Sequence, residues 1–154
     1  MLATCVDDST GPHTWPWAGK PSRIRQQVML AATAQAPGLA RQAAHEALAA
    51  WRVAHLEETA LLLVSELVTN AVRHASTGGT AVVLRLETAG SWLRIEVHDA
   101  DPRMPQPRTP DQLDGSGFGF VLLEALADKW GVREATIGKA VWAELDTRRG
   151  EPEA

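Results

Sequence analysis

Between Glu57 and His74 the chain is two-faced at the period of an α-helix, and that division constrains both what the segment packs against and what it can bind. At about 100° per residue, Ala60, Leu61, Val64, Leu67, Val68, Ala71 and Val72 fall on one half, with Thr59, Glu66, Asn70, Arg73 and His74 on the other. Only Leu63 breaks the division. A helix so divided must lay its apolar half on another layer. Its polar half is poor in the long charged side chains of an ordinary wetted surface and carries a carboxylate and a carboxamide, Glu66 and Asn70, one turn apart. Such a pair can hold an ion or a water. A plain solvated face is the competing reading of this helix alone, and two further segments shift the balance.

In Ser91–Asp101, Leu93, Ile95 and Val97 alternate with Trp92, Arg94, Glu96 and His98 at the spacing of a half-buried strand. Asp99 continues the apolar series. A carboxylate pointing where Leu93, Ile95 and Val97 point must meet donors, because burying it unpaired costs several kcal/mol and raises its pKa. The donor can belong to the protein or to a ligand. Further on, Gly115-Ser116-Gly117-Phe118-Gly119 leads directly into the helical run Phe120–Trp130, which Gly131 is expected to close. Glycines at a helix entry let backbone N–H groups approach a ligand, and the dipole there suits phosphate oxygens. Neither a Walker loop nor a dinucleotide fingerprint fits, since no Lys-Ser/Thr follows and no strand immediately precedes the glycines. A flexible capping loop is the competing reading of the glycines by themselves.

The remaining elements set the fold class. Gln27–Ala32 reads as a first strand, and Pro37 opens a helix running to Trp51 with Leu39, Ala43, Ala47, Leu48 and Trp51 inward. Thr80–Glu87 and Ser91–Asp99 form a hairpin about Thr88-Ala89-Gly90, and Val132–Ala135 pairs with Ala140–Asp146. Helices on one face of a largely antiparallel, mixed sheet make a two-layer α/β (α+β) sandwich. Pro102, Pro105, Pro107 and Pro110 preclude regular structure up to Leu113, so 102–113 is expected to be a lid over the ligand.

With 154 residues, 45% of them hydrophobic, the chain supports one core. The expected organisation is a flexible tail over 1–26, a single domain over 27–147 and a short tail over 148–154. A net charge of −4 and a pI near 5.7 argue against a dedicated nucleic-acid binder. The single cysteine, Cys5, precludes an intramolecular disulfide and a multi-cysteine metal site. No apolar run of membrane-spanning length and no leader pattern is readable, so a cytoplasmic protein is expected, away from membranes.

The order of these segments, Glu66-x-x-x-Asn70 on a helix, Asp99-x-Asp101-Pro102 at a strand end, then Gly117-x-Gly119 opening a helix, resembles the nucleotide site of the GHKL (Bergerat-fold) ATPases. Within that superfamily, Ser116-Gly117-Phe118-Gly119-Phe120 with Glu124, and the ending Gly138–Leu145, are most similar to bacterial anti-sigma factor serine/threonine kinases. The resemblance implies ATP and Mg²⁺ as cofactors. Asn70 would hold the metal and Glu66 would act as base or water-positioner. Asp99 would accept from the adenine amino group with Asp101 close behind it, and Gly115, Gly117, Phe118 and Gly119 would face the phosphates. Arg103 and Arg108 are the cations a closing lid could bring to the γ-phosphate. The partners implied are a STAS-type antagonist phosphorylated on Ser or Thr and a sigma factor or similar regulator, with a homodimer allowed. Three positions depart from the family's pattern: Gly115 replaces a basic residue, Phe118 stands where many relatives have Arg, and Ala140 stands where Thr is expected beside the adenine-binding Asp. These departures keep open a second reading, a non-catalytic, nucleotide-gated interaction module.

Overall fold

A computed structural model describes residues 24–75, 81–99, 118–134 and 138–150, with backbone alone for 74, 75 and 118–120. Five strands, β1 (Ile24–Ala31), β2 (Ala81–Ala89), β3 (Trp92–Asp99), β4 (Lys129–Glu134) and β5 (Lys139–Asp146), form one sheet in the order β1-β2-β3-β5-β4. Every neighbouring pair is antiparallel. Three helices, α1 (Ala36–Ala50), α2 (Glu57–Ala75) and α3 (Phe118–Leu126), complete the two-layer α/β sandwich that the sequence pattern implied. Strand β1 starts at Ile24 and not at Gln27, taking in residues whose composition alone reads as tail.

The layers follow from alternation. Leu93, Ile95 and Val97 of β3 lie opposite Leu145, Ala143 and Val141 of β5, and Leu84 and Leu86 of β2 continue the same face. These side chains share one buried cluster with Ala40, Ala44 and Leu48 of α1 and Leu63, Val64, Leu67 and Val68 of α2. Helix α1 turns only part of the expected stripe inward, since Ala47 and Leu48 are buried and Trp51 packs against the core while Ala43 is half-buried. Ala36, Ala40, Ala44, Ala47 and Leu48 are buried, whereas Leu39 is 56% exposed. The alanines recur at i, i+4 spacing, and their small side chains let the helix lie close to its neighbours. Pro37, in the first turn, lacks only an N–H that has no helical acceptor there. At the other end Arg52 N–H reaches Ala49 O at 3.3 Å and Val53 N–H reaches Leu48 O at 3.0 Å, a Schellman closure. Arg52 occupies its left-handed position with φ 61°, where glycine is usual.

Two boundaries differ from the sequence pattern. The hairpin turn is Gly90-Ser91, with Gly90 at φ 59° and Ala89 paired with Trp92. Helix α3 begins at Phe118 and ends at Leu126, so Lys129 and Trp130 belong to β4. The reason lies in β5: Asp128 N–H donates to Glu144 O at 2.9 Å and the Asp128 carboxylate accepts from Asp146 N–H at 2.8 Å, which pulls the chain onto the sheet. Gly131 is therefore a strand residue, not a helix stop. A Cβ there would lie 2.7 Å from Cζ2 of Trp142, its cross-strand partner, so the indole lies across bare backbone.

The opposite sheet face is ionic. Glu96 on β3 is met by Arg94 at 2.8 Å, Arg133 at 2.5 Å, His98 at 2.5 Å and Arg85 at 3.6 Å. Burial alone would push the Glu96 carboxyl up, but the His98 hydrogen bond and the charges of Arg94, His98 and Arg133 hold it down at about 2. Arg94 also lies 4.3 Å over the Trp142 ring and 3.5 Å from Glu144. The Glu144 carboxyl is raised by burial, opposed by the charges of Arg94 and Lys129.

Candidate functional site

Leu63, the residue that breaks the two-faced pattern of α2, is fully buried, while Leu62 is exposed. On a helical wheel Asn70 lies about 20° and Glu66 about 60° from Leu63. The polar stripe therefore borders the core, and the solvent side of α2 is the one carrying Glu58, Leu62 and Arg73. Glu66 and Asn70 are both half-buried. The Asn70 side-chain oxygen, Oδ1, is itself buried and has no hydrogen-bond partner among the described residues. An orphaned buried carbonyl costs about 1–3 kcal/mol. This orphan is an oxygen, the ligand type that Mg²⁺ requires.

Asp99 ends β3 in the inward series, and its donor is a side chain of the same protein. Lys139 Nζ lies 3.2 Å from Asp99 Oδ1, with the two side chains 1% and 3% exposed. Register explains the meeting, since Asp99 pairs with Lys139 across β3 and β5. The same register corrects the expectation for Ala140. Ala140 pairs with His98 and so belongs to the ionic face, because cross-strand partners share a face and consecutive residues do not. The residue beside Asp99 is Lys139, and the alternation Leu145, Ala143, Val141 leads to it once the strand is extended by one more step.

Helix α2 packs against β3, β5 and α3, so the element bearing Glu66 and Asn70 adjoins the elements bearing Asp99 and Gly119. Phe118 and Gly119 fall in the first turn of α3. Asp101, Arg103, Arg108, Gly115 and Gly117, together with the expected lid, lie outside the described residues. Among the described residues no cluster of three or more His, Cys, Asp or Glu could hold a metal. No helix among the described residues is long and apolar enough to cross a membrane.

Comparison with known proteins agrees with this arrangement. An uncharacterised protein of Streptomyces coelicolor is 34% identical over 91 residues, which cover 58% of this chain and 84% of that protein. The family model for the histidine kinase-like ATPase domain matches residues 30–145, from the end of β1 to the penultimate residue of β5. The chain thus belongs to the histidine kinase-like ATPase family of the GHKL superfamily, whose domains bind ATP.

Proposed function

We propose that the protein binds Mg-ATP and transfers the γ-phosphoryl group to a serine or threonine of an antagonist protein, as an anti-sigma regulatory factor that also sequesters a sigma factor or similar regulator. The observation that carries this reading is the orphaned Oδ1 of Asn70, one turn from Glu66 on a stripe bordering the core. Asn70 would supply the protein oxygen for Mg²⁺. When bound, the ion neutralises phosphate charge and fixes the phosphates in place. Glu66 would accept or orient the hydroxyl proton of the attacking Ser or Thr. Asp99 would accept from the adenine amino group. Support for a regulatory protein of this size comes from the phrase Ser116–Phe120 with Glu124 behind it and from the Gly138–Leu145 ending.

The roles of Glu66 and Asn70 separate in experiment. Glu66→Gln is expected to keep ATP affinity within a few-fold while lowering phosphoryl transfer by roughly 10²–10⁴-fold, the range of a positioned general base. Asn70→Ala is expected to lower both. A nucleotide titration paired with transfer of labelled phosphate to a STAS-type antagonist measures the two quantities. An unchanged rate in Glu66→Gln would reduce Glu66 to a helix-face carboxylate. Nucleotide binding by the unmodified protein without transfer to any antagonist would favour the non-catalytic, nucleotide-gated module.

A further inference from the structure

Lys139 and Asp99 form a buried ion pair at the end of a run of apolar side chains. Their neighbours along the same face are Val97 and Ile95 on β3 and Val141 and Ala143 on β5. Replacing such a pair by well-packed apolar side chains is often neutral or stabilising, because both charges must be stripped of water. Stability is therefore a poor reason for this pair. Its chemistry offers a better one. A buried carboxylate without a cation takes up a proton and then presents an O–H donor, whereas an ionised one only accepts. An amino group on a base edge needs the second kind.

We infer that Lys139 is a positioning residue for base recognition: by donating to Oδ1 at 3.2 Å it holds Asp99 as an acceptor and fixes the carboxylate plane toward the 6-amino group of an adenine base. The inference rests on the nucleotide-binding reading above. Lys139 acts through Asp99 and transfers no proton. Glu134, the cross-strand partner of Lys139 on β4, is exposed, where solvent screens its charge.

The full-length protein is titrated, with Mg²⁺, against ATP and against purine riboside 5′-triphosphate, which lacks the 6-amino group. Wild type is expected to prefer ATP by about tenfold or more, the scale of one charge-assisted hydrogen bond. Lys139→Arg is expected to keep that preference, and Lys139→Met to compress it to about threefold or less. Lys139→Gln, which removes the positive charge while keeping a side chain of similar length and is the gentler change should the Met variant fail to fold, is expected to compress it in the same direction. A purely structural Lys139 would weaken both nucleotides equally, leaving the ratio at its wild-type value in the Gln and Met variants, and that result overturns the inference. Wild type binding both nucleotides equally well overturns it too, while leaving nucleotide binding intact. No binding of either nucleotide removes the nucleotide reading and this inference together.

Discussion

Glu96 shows how much one buried carboxylate can organise. Three arginines and a histidine converge on it from β2, β3 and β4, so its removal leaves cations buried without their counter-charge. Glu96→Gln is expected to cost about 3 kcal/mol or more in urea unfolding, the scale for breaking a buried pair. The pH dependence has a definite sign. The folded carboxyl lies at about 2 against 4.5 in its unperturbed state, so its contribution is present above about pH 4.5 and is lost as pH falls toward 2. Wild type should weaken on acidification through that window, and Glu96→Gln should show a shallower loss. Equal acid slopes in the two proteins would remove Glu96 from the account of acid stability. At this scale Asp99 stood out because it continues an apolar series, and Asn70 because its carboxamide lies one turn from Glu66 on a face poor in long charged side chains. Lys139 was not, because its meaning depends on a pairing register between strands forty residues apart in sequence.

Among the elements, α1 ends with a residue ill suited to its backbone. Arg52 holds φ 61° in a Schellman closure whose hydrogen bonds are already made. Glycine meets that conformation without the side-chain penalty of about 1–2 kcal/mol. Arg52→Gly is therefore expected to raise stability by roughly 0.5–1 kcal/mol, the remainder being lost to the greater freedom of glycine in the unfolded chain. Thermal unfolding checks it, and a lower midpoint would contradict the strain argument. Gly131 tests the opposite case. Gly131→Ala would drive a methyl group into the Trp142 indole and is expected to destabilise by about 1–3 kcal/mol, as overpacking does. Both positions show where sequence patterns stop. Periodicity located α1, α2 and the hairpin, yet a glycine after a helical run looks like a helix stop until the tryptophan lying across it is known. Likewise, Leu39 reads as an inward residue until the alanine ladder beside it proves to be the closer-packing face.

For the molecule as a whole, the two-layer sandwich could be read from period-2 and period-3.6 segments in order, and the family match over residues 30–145 covers the same span. Membership of the ATP-binding family was legible only as an ordered constellation, since Glu66 with Asn70, Asp99 alone and the glycines alone each have an ordinary structural explanation. In the folded protein, α2 lies against β3 and α3, the elements that carry the rest of that constellation. Helix α2, which carries Glu66 and Asn70, thus contacts both the strand that ends at Asp99 and the helix that the glycines precede. The most direct measurement of whether they act together is calorimetric titration of ATP into the full-length protein with and without Mg²⁺, alongside Asp99→Asn. The expected result is Mg²⁺-dependent binding that Asp99→Asn weakens by about tenfold or more, since an amide can turn its own donor toward the base amine. Absence of ATP and ADP binding at millimolar concentration with Mg²⁺ would contradict the central claim.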